Sequence, residues 1–137
     1  MFRGINLALA VCLFFLAQAV QAETLTLGQS VSNVLMNTIR TDTYTIYLKK
    51  NQGISAFLKW EANSGYLYYG LYDPYGNAIY STADVYKNQT GCLTARIQDT
   101  GTYTLKVTSM SSPSGMYTLS TSGHWYDPGF PEADIAR

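Results

Sequence analysis

Residues 99–107 read Asp-Thr-Gly-Thr-Tyr-Thr-Leu-Lys-Val, and this stretch decides the fold. Asp99 and Gly101 are turn residues, since Asp bonds nearby backbone and Gly accepts positive φ. After them Tyr103, Leu105 and Val107 alternate with polar residues. Strict alternation is the period of a strand with one buried face. We therefore predict a turn followed by a strand whose aromatic and aliphatic side chains enter a core.

The same pattern of alternation between turns recurs along the chain, and no segment shows a sustained helical period. Apolar residues alternate within 44–48, 54–60, 67–71, 93–97 and 117–121. Turn residues separate these segments at Asn51–Gly53, Ala62–Gly65, Asp73–Asn77 and Ser112–Gly115. Short strands at this spacing are typical of an all-β protein, and we predict an antiparallel two-sheet β-sandwich of about seven or eight strands.

The first 22 residues have the pattern of a cleavable signal peptide. Arg3 precedes an apolar run from Ile5 to Val20, and Val20-Gln21-Ala22 supplies the short side chains that precede cleavage. A transmembrane helix is the alternative, but Asn6 and Gln18 interrupt the run. We expect a periplasmic or secreted protein with one domain over residues 23–122 and an irregular tail over residues 123–137.

Charge and cysteine content exclude several partners. The chain has nine Lys and Arg against nine Asp and Glu, so no basic field is present to hold nucleic acid or a membrane surface. Of its two cysteines, Cys12 lies in the signal peptide, which leaves Cys92 without an intramolecular partner. Because free cysteine is among the most buried residue types, we expect Cys92 to be a small core residue, with intermolecular pairing as the alternative.

No catalytic or metal-binding constellation can be assembled from the residues. His124 is the only histidine, and a nucleophile–base pair or a zinc site needs more such groups. Asp73–Asn77 is rich in oxygen ligands and could attract calcium, but its composition is first that of a β-turn. We expect a protein that is not an enzyme, with no cofactor and no metal.

Tyrosine is the residue type that stands out. Twelve Tyr occur, all of them after the signal peptide. Alternation places Tyr66, Tyr68 and Tyr72 on the face opposite Leu67 and Leu71, and Tyr75 lies at a turn tip. Exposed Tyr is enriched at recognition surfaces, whereas Tyr also suits strands for structural reasons. Both interpretations remain open at this point.

Four segments in order carry a family resemblance: residues 41–47, 71–77, 99–107 and 117–119. Together they resemble the bacterial pre-peptidase C-terminal domain, a β-sandwich, over roughly residues 25–122. Free-standing, exported members of this group include inhibitors of g-type and i-type lysozymes, which this chain resembles in length, export and residues 42–53. Since no protease module precedes the domain, we expect the free-standing setting.

The resemblance implies a non-catalytic binding protein, and a lysozyme inhibitor that occludes the substrate cleft of its target is the concrete form. The Ser-Gly-x-Tyr element linked to inhibition corresponds here to Thr100, Gly101, Thr102 and Tyr103, with Thr in place of Ser. The partner would be a lysozyme or another wall hydrolase. The alternative is a carbohydrate- or matrix-binding module, with a polysaccharide as its partner and the Tyr66, Tyr68, Tyr72 and Tyr75 surface as its site.

Overall fold

The computed structural model describes residues 22–81 and 84–125, which form an all-β fold as predicted. Nearly all of the predicted signal peptide, and the predicted tail beyond Trp125, lie outside the described residues. In the described ranges no helix is long and apolar enough to cross a membrane. The described residues form seven strands: β1 (Glu23–Leu25), β2 (Ser30–Met36), β3 (Thr41–Leu48), β4 (Gln52–Tyr72), β5 (Ala78–Ser81), β6 (Gln89–Arg96) and β7 (Gly101–Trp125).

The two longest strands, β4 and β7, pair with each other and link two parts of one hydrogen-bonded network. Their register runs from Gln52↔Trp125 to Ala62↔Gly115, shifts twice, and resumes from Tyr66↔Met110 to Tyr72↔Thr104. The first part of this ladder lies between β2 and β6, and we call these four segments the β2 half. The second part lies between β3 and β5, with β1 outside β3, and we call it the β3 half.

The turns predicted at Ala62–Gly65 and Ser112–Gly115 are wrong, because β4 and β7 continue through them. These residues bend the strand pair instead of reversing the chain. Gly65 has φ +84°, and Ser111 and Ser112 also have positive φ. A Cβ on Gly115 would lie 2.4 Å from the carbonyl oxygen of Glu61, so the two backbones approach more closely than a side chain allows. Glycine at such sites permits the bend.

One strand pair departs from the antiparallel prediction. β1 pairs with β3 in parallel, from Glu23↔Tyr44 to Leu25↔Ile46. The tight turn after β1, closed by the bond from Gln29 N to Thr26 O, carries the chain into β2 in the other half. Because consecutive strands lie in different halves, the short β1 is free to align with β3 in the same direction.

The core forms where the two halves face each other, as in a β-sandwich. The Tyr69 hydroxyl of the β3 half donates to the Ala56 carbonyl of the β2 half at 2.9 Å. The largest fully buried side chains come from both halves: Trp60, Tyr44, Tyr69, Tyr117, Leu35, Ile46, Leu48, Ile54, Leu58, Leu67, Leu71 and Leu93. Tyr103, Leu105 and Val107 are buried, as their alternation predicts.

A buried polar chain joins the halves at the side where β2 and β3 lie. Tyr117 donates to Asp42 Oδ2 at 2.5 Å and is hydrogen-bonded to the Tyr44 hydroxyl. Asn33 Nδ2 donates to both phenol oxygens, at 2.8 and 3.1 Å. Arg40 Nε lies 2.9 Å from Asp42 Oδ1. Burial raises the pKa of both tyrosines, so both stay protonated at neutral pH.

Candidate functional site

Four turns gather at one end of the sandwich, which we call the turn end: residues 26–29, 49–51, 73–77 and 97–100. The turns at 49–51 and 97–100 meet because β3 ends where β7 begins, at Leu48↔Gly101. The turn at 26–29 follows β1, which pairs with β3 as far as Leu25↔Ile46, and the turn at 73–77 touches Gly101 through Pro74. The turn after β3 is bonded to the turn before β7 through Asn51 N and Ile97 O at 2.9 Å. Short turns whose backbones are bonded to one another present a fixed surface.

The Thr100–Tyr103 element lies at the turn end, and its members have different environments. The Thr100 hydroxyl oxygen accepts a bond from Lys50 N at 2.9 Å and is exposed, so its O–H remains a donor. Gly101 lies against Pro74, since a Cβ there would be 2.7 Å from the proline Cγ. Tyr103 is only 2% exposed. Of the three residues, Thr100 is therefore exposed, Gly101 is half-buried against Pro74, and the Tyr103 ring lies inside the core.

Tyr103 acts on this turn through its hydroxyl, which donates to the Asp99 carbonyl at 2.5 Å. Burial raises the pKa of Tyr103, which keeps this donor protonated. Because the Tyr103 ring is held in the core, this bond fixes the position of the turn at residues 97–100, just before β7. Tyr103 is thus a positioning residue for Thr100 and Gly101.

The Asp73–Asn77 turn displays Tyr75, which is 87% exposed. Asp73 Oδ1 accepts from Tyr75 N at 2.9 Å and from Asn77 N at 2.8 Å. Hydrogen bonds from the turn, above all from the Asn77 backbone, hold the pKa of Asp73 below its usual range. Gly76 has φ +89°, the left-handed conformation that closes the turn. The Asp73 carboxylate is therefore engaged by its own turn.

Tyr66, Tyr68 and Tyr72 of β4 point away from the core as alternation predicts, but they do not form one uniform platform. Tyr68 is exposed, while the Tyr66 ring packs at 5.6 Å against Tyr86. The Tyr72 ring lies over Gly70 and has Lys106 Nζ 4.6 Å from its centroid. Tyr66 and Tyr68 lie toward the bend, and Tyr72 adjoins the turn that carries Tyr75.

Sequence reasoning missed a cavity at the turn end. It has a volume of about 420 Å³ and is lined by Leu27, Gly28, Gln52 and residues 122–125. Trp125, 60% exposed, and His124 were assigned to the irregular tail, but β7 runs through both. Continued alternation of Thr121, Gly123 and Trp125 with Ser122 and His124 is the signal that would have extended the strand.

The expectation that Cys92 is buried is wrong, because its side chain is exposed. Leu93 and Ala95 point into the core, so alternation along β6 turns Cys92 and Thr94 outward. Position in the strand outweighed the general preference of cysteine for the interior.

Within residues 22–81 and 84–125, no three His, Cys, Asp or Glu side chains lie together as a possible metal site.

Comparison with known proteins identifies the fold. No protein-family model and no curated protein matches the sequence. The structure is similar to the pre-peptidase C-terminal domain of a Bacillus anthracis collagenase, with TM-score 0.61 and 20% identity over 74% of this chain and 95% of that one. It is also similar to Aeromonas hydrophila PliG, a periplasmic inhibitor of g-type lysozyme, with TM-score 0.53 and 14% identity over 76% and 100%. The chain has the β-sandwich fold of the pre-peptidase C-terminal domain, a fold that the lysozyme inhibitor also has.

Proposed function

We propose that this chain is an exported, non-catalytic binding protein whose turn end enters the cleft of a partner protein, with a lysozyme as the concrete target. The observation that carries the proposal is Tyr75, an exposed aromatic side chain at the tip of a turn. The Asp73 carboxylate holds this turn in place by accepting hydrogen bonds from the Tyr75 and Asn77 amides. The fold shared with a periplasmic lysozyme inhibitor supports the choice of target.

The turn end suits binding because its contact groups are held in place before a partner arrives. Rigid loops lose little conformational entropy on association, and a Tyr anchor buries a large area at low rotamer cost. Thr100 adds a hydroxyl that still donates, and Gly101 lets the two turns touch. A sugar-binding cleft with acidic groups offers both an apolar wall and hydrogen-bond acceptors. Occupying such a cleft blocks the substrate by sterics alone.

The test is inhibition by purified residues 23–137 of c-, g- and i-type lysozymes in a cell-wall lysis assay. We expect inhibition of at least one class, and we expect Tyr75→Ala to weaken it by about 30-fold, as for a central aromatic anchor. Tyr86→Ala is the matched control, because it also removes an exposed tyrosine, 53% exposed, but one away from the turn end. Tyr86 packs against Tyr66, which lies on β4 close to the bend. Failure to inhibit every class, or equal loss in both variants, would refute the proposal.

Displacement of the Asp73 turn gives a second readout. Asp73→Ala removes the acceptor for the Tyr75 and Asn77 amides, so both amides should exchange with solvent faster and inhibition should fall. Amide exchange by NMR measures the first effect and the lysis assay the second. Faster exchange with unchanged inhibition would show that the turn is not part of the contact.

The alternative function, a carbohydrate- or matrix-binding module, is favoured by the outward face of the β3 half. Threonines occupy most outward positions of β3 and of the first part of β7, and Thr41 and Thr108 bond across them at 3.0 Å. Lys106 is the charged side chain among these rows, and Tyr68 stands exposed beside them. Hydroxyls and an aromatic ring with little charge suit a neutral polysaccharide.

Pull-down on peptidoglycan, chitin and collagen separates the two functions. The double variant Tyr66→Ala with Tyr68→Ala should lose polysaccharide binding if the face is used, while Tyr75→Ala should keep it. Loss of binding in Tyr75→Ala alone would instead assign the polysaccharide to the turn end.

A further inference from the structure

The strand β2 lies at an open edge of the β2 half, since among the described residues it pairs only with β7. Hydrogen bonds just beyond its two ends show which of its residues face the open side. Thr121 N donates to Gln29 O at 3.2 Å, and Asn37 N donates to Pro113 O at 2.7 Å. In an antiparallel ladder the bonded residues alternate, so the odd-numbered residues between 29 and 37 face β7.

The four even-numbered residues therefore direct their N–H and C=O groups away from the protein: Ser30, Ser32, Val34 and Met36. The same four side chains lie on the outward face, and two of them are large and apolar, with Val34 60% and Met36 78% exposed. Val34 stands beside Met116, also exposed, which widens the apolar strip. Unpaired backbone groups next to exposed apolar side chains form a template for strand addition.

The other edges of the network carry features that discourage such addition. β1 has only three residues and β5 only four. The pairing of β5 with β4 also has a register shift, between Leu71 and Tyr72 of β4. β6 is longer, but Arg96 is among its outward residues. β2 has seven residues without a proline, a charge or a bulge. Short edges, bulges and charges are the usual protection of a sheet edge, and β2 has none of them.

We infer that the β2 edge is an interface between two copies of this chain, which pair their β2 strands antiparallel about Asn33. This register places Ser30 of one copy opposite Met36 of the other, and Ser32 opposite Val34. Every open-edge residue then meets an open-edge residue, which gives about eight inter-chain hydrogen bonds. The strand is uncharged, so self-pairing brings no like charges together, and each large side chain faces a serine. A two-fold interface of this kind is closed and stops at the dimer.

This interface lies along the side of the sandwich and does not depend on the function proposed for the turn end. Its test is the association state of purified residues 23–137, measured by sedimentation equilibrium over a wide concentration range. A reducing agent is present throughout, so that a disulfide through the exposed Cys92 makes no contribution. We expect a reversible monomer–dimer equilibrium.

Two variants address the edge by different means. Ser32→Pro removes an N–H that faces the open side and leaves the hydrogen bonds to β7 intact. Val34→Lys places a positive charge close to the same charge on the second copy, and the two repel each other. Each should raise the dimer Kd by about tenfold or more. Thr94→Pro is the matched control, because Ile97 N bonds Gln52 O and alternation then turns the Thr94 N–H toward the open edge of β6.

The outcomes decide the inference in either direction. A dimer weakened by Ser32→Pro or Val34→Lys and unchanged in Thr94→Pro supports it. If Ser32→Pro fails to fold, as circular dichroism would show, Val34→Lys alone carries the comparison. A monomer at every concentration overturns the inference, as does a dimer that neither β2 variant weakens or that Thr94→Pro dissociates.

Discussion

Substitution of Tyr117 by Phe tests the buried polar chain that joins the two halves. The ring is fully buried, and its hydroxyl donates to Asp42 Oδ2 at 2.5 Å. The Tyr117 hydroxyl oxygen is also hydrogen-bonded to the Tyr44 hydroxyl and accepts a bond from Asn33 Nδ2. Phe keeps the ring and its packing, so the change removes the hydroxyl alone.

The magnitude follows from which partners keep a bond. Asp42 retains Arg40, whose Nε lies 2.9 Å from Oδ1 and whose terminal nitrogen lies 3.2 Å from Oδ2. Asn33 retains the Tyr44 hydroxyl at 2.8 Å. The change removes all three bonds of the Tyr117 hydroxyl, and the bond to the charged Asp42 is the strongest of them, worth about 1.5–3 kcal/mol. We expect the free energy of unfolding to fall by about 2 kcal/mol.

Urea unfolding of Tyr117→Phe and of the unsubstituted protein measures this difference, with an unchanged m-value as the condition for comparing midpoints. A thermal midpoint lower by about 8 °C should accompany it. Tyr47→Phe is the control, because Tyr47 is exposed, and it should change stability by less than about 0.5 kcal/mol. A loss below that level for Tyr117→Phe would refute the assignment of the polar chain as a stabilising link.

Two further predictions concern the bend and the core. Gly115→Ala places a Cβ 2.4 Å from the Glu61 carbonyl oxygen, a backbone atom that cannot move aside without shifting the strand. The free energy of unfolding, measured by urea titration, should fall by about 3 kcal/mol or more. A smaller decrease would mean that the bend can open. Alkaline pH should also destabilise the fold, since burial raises the pKa of Tyr44, Tyr69 and Tyr117. In the unfolded chain these side chains ionise near pH 10, so their contribution to stability is complete below that pH and is lost progressively as the pH rises above it. The free energy of unfolding measured between pH 9 and 11 should fall with rising pH, and it should fall less steeply in Tyr117→Phe; equal slopes would contradict the prediction.

Local alternation predicted most of the strands and the side on which their residues lie. Leu67, Tyr69 and Leu71 are buried while Tyr68 is exposed, because successive side chains on a strand point to opposite faces. The same rule would have placed Cys92 outward, and the error came from using a residue-type preference instead. Asp73, Pro74 and Gly76 form the predicted turn because their bonds lie within a few residues.

The candidate site could be predicted only in part. Thr100 and Tyr75 lie at the same end of the molecule, but the contact between Gly101 and Pro74 depends on where β4 and β7 pair. Tyr103 belongs to the element that the sequence singled out, yet its ring is inside the core. Trp125 enters the turn end because β7 pairs with β4 as far as Gln52↔Trp125.

By itself, the sequence determined the strand period, the inward faces and the turn at Asp73–Asn77, because each depends on residues close together along the chain. Only the tertiary structure decided that Gly65 and Gly115 bend a continuous strand pair, and that β1 runs parallel to β3. Within the part of the chain that the structure describes, it also left β2 with an open edge. Such features depend on which strand lies beside which, and residues distant in sequence set that arrangement through the packing of a shared core.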